Sequence, residues 1–247
     1  MSFEARFHLS LDSVAAFRAL RDGQAPEPLA VGLLAELSGV DGLIVHLRGD
    51  ARARRERDAR LLREAVQSRL ELCLSPAADL VSTAFDARPD RVTLVPEGRE
   101  GGAPVGGLDV SLLKDTLRKH VNHLKDADIE VAARVEPALD QLKALHRLDI
   151  EVAVLFAGGY MSARGPADRR AERGRLADAA TFAARAGLKV AVAGGLDISA
   201  VEALAQIPQI EEFHVGHACV ARGLLQGIGG AIRDFKSAIE RGKRRSS

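Results

Sequence analysis

Gly42–Leu47 reads Gly-Leu-Ile-Val-His-Leu, six residues in which His46 is the single polar side chain. A nearly unbroken apolar run of this length is what a parallel strand covered on both faces requires. Residues 151–156, Glu-Val-Ala-Val-Leu-Phe, repeat the pattern a hundred positions later. Working outward from these two, further short apolar runs fall at residues 6–11, 70–74, 91–95, 129–135, 189–193 and 212–215, and the second of the quoted runs extends back to residue 150. Eight strands are therefore expected. Helical periodicity fills the intervals, at residues 29–38, 56–68, 77–87, 110–126, 137–145, 166–186, 199–205 and 223–242. Leu112, Leu113, Thr116, Leu117, His120 and Leu124 share one helical face, and Leu33, Leu34 and Leu37 share another; both are expected to pack inward. Glycines such as Gly39 and Gly187 stand where helices must end before the next strand. An open doubly wound sheet has the same alternation, but eight strand–helix units without a linker favour a single (β/α)8 TIM barrel, an α/β fold spanning residues 1–247.

The chain has 247 residues, 47% of them hydrophobic, which suffices for a substantial core. Thirty-five Lys and Arg against 34 Asp and Glu leave a net charge of +1, so no global charge points to nucleic acid or an anionic membrane. Any anion site must be local. Cys73 and Cys219 are too few and too distant for a disulfide framework or zinc cluster, and they read as buried thiols. No run approaches a membrane span, and residues 1–6 lack a basic start followed by an apolar stretch, so a cytoplasmic protein is expected.

No Gly-Lys-Ser/Thr phosphate loop occurs, and no G-x-G-x-x-G follows the first strand. The glycine-rich stretch GLLQGIGG at residues 223–230 has no strand immediately before it and reads as a helix start. The basic tail at residues 241–247 reads as a frayed, solvated end.

In a barrel, the carboxyl ends of the strands and the loops after them line the site. The first strand delivers Ser10, Asp12 and Ser13, the second His46 and Arg48, the third Cys73 and Ser75. The fourth delivers Glu97 and a glycine-rich loop, the sixth Gly158, Gly159 and Tyr160, the seventh Gly194 and Gly195, and the eighth Gly216 and His217. His46 and Arg48 lie on one side of an extended segment; imidazole moves protons near neutral pH, and guanidinium grips anions bidentately. The plainer reading is a hydrogen-bonded histidine beside an arginine paired with Asp50. Gly194, Gly195 and Gly216 suit phosphate held by backbone N–H groups at a helix N-terminus, or serve simply as turns. His217 suits a phosphate ligand or a loop cap. The arginine-rich residues 50–63 read mostly as a solvated helix face.

The sequence resembles the pyridoxine 5′-phosphate synthase family nearly from end to end. The resemblance rests on Val45-His46-Leu47-Arg48, Leu94-Val95-Pro96-Glu97, Gly106-Gly107-Leu108-Asp109-Val110, Gly158 with Tyr160, residues 180–184 (ATFAA), Gly187-Leu188-Lys189-Val190, and Val215-Gly216-His217-Ala218. It implies a condensation of 1-deoxy-D-xylulose 5-phosphate with 3-amino-2-oxopropyl phosphate, without metal or organic cofactor, in a homo-oligomer that is often an octamer. Phosphorylated small molecules are the implied partners, with neither nucleic acid nor membrane. Position by position, the resemblance assigns Asp12 and Arg48 to the deoxyxylulose phosphate and Arg18 to the amino-ketone phosphate. Gly195, Gly216 and His217 fall to the second phosphate, and His46 to proton acceptance.

The departures concern acid–base groups. Ser10 and Ser13 replace an asparagine and a histidine, Ala53 a loop histidine, and Cys73 the strand-three glutamate. A loop-four threonine aligns with Ala103 or Pro104. Val154 and Phe156 replace a glutamate and a histidine on strand six, and Gly194 replaces the proton-donor histidine. Weak or altered activity, or a divergent relative that acts on or only binds another phosphorylated keto compound, is therefore expected.

Overall fold

The computed structural model describes residues 5–20, 25–47, 52–76, 84, 86–97 and 106–246. Eight parallel strands pair in sequence order and close on themselves through β1 and β8. They are β1 (Arg6–Ser10), β2 (Gly42–Leu47), β3 (Arg69–Leu74), β4 (Arg91–Leu94), β5 (Glu130–Val135), β6 (Val152–Phe156), β7 (Lys189–Ala193) and β8 (Glu212–Val215). The single-domain (β/α)8 barrel expected from the alternation is the observed fold. Each strand obeys the period-two rule. Phe7, Leu43, Leu72, Val131, Leu155, Val192 and Phe213 face outward into the main core, against the helices. Their neighbours face the barrel axis, where two smaller apolar groups form: Ala132, Val152, Val154, Ala191 and Ala193 from β5–β7, and Ile44, Cys73 and Val95 from the opposite wall.

Around the barrel run α1 (Asp12–Ala19), α2 (Pro28–Leu37), α3 (Arg52–Ala65), α4 (Val110–Asp126), α5 (Leu139–Arg147), α6 (Gly158–Ser162), α7 (Pro166–Arg185), α8 (Ile198–Leu204), α9 (His217–Gln226) and α10 (Ile228–Arg244). Local chemistry sets their starts. Asp109 accepts from the Leu112 amide and Asp197 from the Ala200 amide, capping α4 and α8, while Pro166 opens α7 at its first turn.

Four expectations need correction. The final helix is two helices, because Gly227 at φ +82° carries a conformation no helix interior tolerates. The basic tail is helical to Arg244 and docked: Lys243 Nζ donates to the carbonyls of Ile207 (3.4 Å), Pro208 (3.1 Å) and Ile210 (2.7 Å), and Gly242 is buried against the Glu202 backbone. On α2 the buried stripe lies beside the expected one, and on α4 the expected face is buried at Leu117 and Leu124 but not at its start. Gly32 and Ala35 face the core while Leu34 and Leu37 face out, and Leu112 is 80% exposed whereas Leu117, Val121 and Leu124 are buried. Nor is α3 a wholly solvated face, since Arg55 and Asp58 are buried on it. Of the helix expected at residues 77–87, only 84, 86 and 87 are described, and they are helical. The helices α1 and α6 follow their strands too closely and are too short to show a sequence period.

Candidate functional site

At the carboxyl ends of the strands, one cavity collects side chains from most of the barrel, including Asp12, His46, Cys73, Arg134, Gly194, Gly195, Gly216 and His217. His46 stands at the end of β2 with Nδ1 3.4 Å from Asp12 Oδ2. Arg55 reaches the same carboxylate from α3, Nη1 lying 3.4 Å from Asp12 Oδ1. Asp12 thus sits between an imidazole and a buried guanidinium, within ion-pair range of both. Across the cavity, Gly194 and Gly195 follow β7 with φ of +120° and +77°, backbone states that side chains rarely adopt. Gly216 is a glycine for another reason. Its φ is −127°, and a Cβ there would come within 3.1 Å of Ser10 Cβ. Gly216 is also the residue before α9, whose first residue is His217, so a helix N-terminus faces the cavity.

The expected residues therefore divide. Asp12, His46, Gly195, Gly216 and His217 line one cavity. Arg18 does not join them. Its guanidinium binds Asp58 through Nη1 and Nη2 (3.0 and 2.6 Å) and lies 3.3 Å from Glu27. Arg48, Ala103 and Pro104 lie outside the described residues.

Arg134, Thr93 and His214 are polar cavity residues that sequence reasoning missed, and Arg134 is the charged one among them. The strand sequence Glu-Val-Ala-Ala-Arg-Val holds it at an inward position, only 8% exposed. Its Nε donates to the Gly106 carbonyl (3.1 Å), and its guanidinium lies 5.7 Å from the Phe156 ring centre. A charged residue inside an otherwise buried strand was the available signal.

Below the cavity the interior is polar, which the apolar reading of the strands did not anticipate. His8, Glu71, Arg91, Glu212 and His214 are all buried. Arg91 pairs with Glu71 (3.3 Å), with Glu212 at closer range and with Glu130 (2.8 Å); Thr93 donates to Glu71 (2.6 Å). The His8 and His214 rings stack 5.2 Å apart. Burial alone would raise the Glu71 and Glu212 pKa values, but the histidines and Arg91 more than offset it and hold both carboxyls well below the usual range. Among the described residues, His8, Glu71, Glu212 and His214 are the group whose donor atoms could converge on a cation, all lying within 4.8 Å of one another. Arg91 already occupies the carboxylate oxygens such an ion would need, so the cluster is read as an internal ion-pair network. Cys73 donates weakly to Glu71 (3.8 Å) at the boundary between network and cavity. Cys219, on α9, is buried in the main core, its thiol pKa pushed up to about 12 by burial.

A second cavity, between α4 and α5, is edged by Lys114, Arg118, Lys143 and Arg147. No described helix is long and apolar enough to cross a membrane.

A family model described as "Pyridoxal phosphate biosynthesis protein PdxJ" matches residues 7–241. Pyridoxine 5′-phosphate synthase of Thermosynechococcus vestitus is 40% identical over 95% of this chain and 99% of its own length. The synthase of Syntrophotalea carbinolica is 37% identical over 94% and 97% respectively. Two solved structures share the fold at low identity. Tryptophan synthase of M. tuberculosis matches with a TM-score of 0.65 at 13% identity, covering 98% of this chain and 94% of that one. For 3-hexulose-6-phosphate synthase of Salmonella typhimurium the TM-score is 0.63 at 17% identity, covering 96% and 99%.

Proposed function

The chain belongs to the pyridoxine 5′-phosphate synthase family, and on that premise we propose that its cavity holds a phosphorylated keto substrate between the glycines after β7 and β8 and the Asp12–His46 pair. Gly195, Gly216 and His217 supply amides and a helix N-terminus for the phosphate. With Nδ1 turned toward Asp12, His46 uses Nε2 to take and return protons. Asp12 orients that ring and contacts the sugar hydroxyls, and Arg48 completes the grip on the sugar phosphate. The observation that carries this reading is the placing of His46, oriented by a carboxylate, in one cavity with the two positive-φ glycines.

The reaction is the family's condensation of 1-deoxy-D-xylulose 5-phosphate with 3-amino-2-oxopropyl phosphate, run at a much reduced rate. Each positioned acid or base typically contributes about 10²–10⁴-fold, and Val154, Phe156 and Gly194 supply none. No metal or organic cofactor enters this scheme. A divergent reaction on another phosphorylated keto compound is the second reading. It is favoured by Phe156, whose ring fills the space beside Gly194 and Gly158 so that neither position has room for an ionisable side chain. Exposed leucines on α2 and α9, among them Leu34, Leu37, Leu224 and Leu225, support assembly as a homo-oligomer, up to an octamer.

Purified protein given both substrates should release phosphate and form pyridoxine 5′-phosphate slowly, and His46→Ala should abolish that turnover. An unchanged rate in His46→Ala would remove the histidine from the mechanism. Absence of product with retained phosphate-ester binding would leave the divergent reading standing.

A further inference from the structure

The groove between α4 and α5 belongs to the outer helical layer and shares no residue with the cavity at the strand ends. Lys114 and Arg118 stand one turn apart on α4, and Lys143 and Arg147 one turn apart on α5, so two rows of cations edge it. None of the four pairs with a carboxylate among the described residues. Elsewhere on the surface cations do find partners: Arg63 pairs with Asp90, Arg69 and Lys189 with Glu130, and Arg241 with Glu202. The carboxylate that lines the groove, Asp140, accepts instead from Gln141 Nε2 at 3.2 Å. Lys143 Nζ lies 6.0 Å from the Phe182 ring centre, a contact that leaves its charge uncancelled. The dipole of α5 favours Arg147 at its C-terminus, but Lys114, Arg118 and Lys143 have no such reason for their place.

Like charges four residues apart destabilise a helix, and here the arrangement occurs on two packed helices that border one groove. An anion seated between the rows removes the repulsion and gains charge-assisted hydrogen bonds. The groove has a volume of about 550 Å³, which suits a small molecule, and the net charge of +1 gives no wider field to draw a macromolecule. Leu139, Ala144 and Leu148 give it an apolar lining beside the cations. We infer that the α4–α5 groove is a second ligand site, for an organic polyphosphate. A nucleoside triphosphate is the class that fits, its phosphates between the two cation rows and its base against the leucines. The site stands independently of the phosphate site proposed at the strand ends.

Calorimetric titration of the full chain with ATP, AMP and tripolyphosphate, all without magnesium, tests it. One ATP per chain is expected, bound at least about tenfold more tightly than AMP, the factor that a single charge-assisted hydrogen bond supplies. ATP should also bind more tightly than tripolyphosphate, which has the charge but no base. The double variant Arg118→Ala, Arg147→Ala should weaken ATP binding at least about tenfold. Its melting temperature should stay the same or rise, since neither side chain has an ion-pair partner to lose among the described residues. A second double variant, Lys114→Gln with Lys143→Gln, should behave likewise and decides the matter if the first does not fold. ATP affinity unchanged in both variants, equal affinity for ATP and AMP, or no binding of ATP overturns the inference. Tripolyphosphate binding as tightly as ATP overturns the organic ligand class. Displacement of ATP by poly-L-glutamate at lower concentration would make the groove a docking site for an acidic protein segment and overturn it as well.

Discussion

Gly194, which the resemblance presents as a lost proton donor, also has a structural reason to be glycine. Its φ of +120° and the Phe156 ring beside it both demand glycine. Gly194→Ala should therefore cost about 1–3 kcal/mol of stability from the backbone alone, with a further contribution from the ring. Adding Phe156→Ala should return the side-chain part and not the backbone part, and paired melting curves of the single and double variants measure the split. Full recovery in the double variant would show that the backbone conformation is not strained for alanine. The substitutions themselves were legible in the sequence, since His46 stays where Gly194, Phe156 and Val154 depart. Their mutual packing was not. Arg134 also escaped notice, because a strand's period says that a residue points inward without saying whether it reaches a cavity or a salt bridge.

Elements were legible in proportion to their length and regularity. The boundaries of β2, β7, β8 and α4 coincide with the apolar and helical patterns. The eight-residue α1 is missed because Asp12 and Ser13 read as loop chemistry when they in fact open a helix, and the α2 stripe is misplaced because leucine was weighed above glycine. Gly32 is buried because the helix passes so close to Leu62 that a Cβ would stand 2.6 Å from it. The break between α9 and α10 rests on Gly227 alone, with open space where a Cβ would be. Gly227→Ala should thus lose about 1–3 kcal/mol, purely through backbone strain. Urea denaturation reads this directly, and an unchanged midpoint would mean that the φ of +82° is not needed for the helix pair to dock.

At the scale of the whole barrel, the interior network and the cavity above it have separate consequences. Glu71 and Glu212 are held below their unfolded pKa values, so they contribute stability in full above the unfolded value of about 4.3 and lose it as pH falls toward the folded values. The urea midpoint should be flat from pH 7 to about 5 and fall below about pH 4. Glu71→Gln should cost about 3–5 kcal/mol at neutral pH, because it leaves the buried Arg91 partly uncompensated, and it should make the acid limb shallower. An acid limb of unchanged slope would exclude Glu71 as its source. The closed fold was legible from the count of strands, whereas the polar heart of the barrel was not, since it depends on side chains brought together from β1, β3, β4 and β8. The proposed function rests on the mouth rather than the heart. The central claim is that phosphate esters bind at the glycines after β7 and β8. Amide chemical shifts of ¹⁵N-labelled protein during titration with 3-amino-2-oxopropyl phosphate test it most directly. Saturable shifts at Gly195, Gly216 and His217 are the expected result; shifts confined to Lys114, Arg118 and Lys143 in the α4–α5 groove, or no shifts at all, would contradict it.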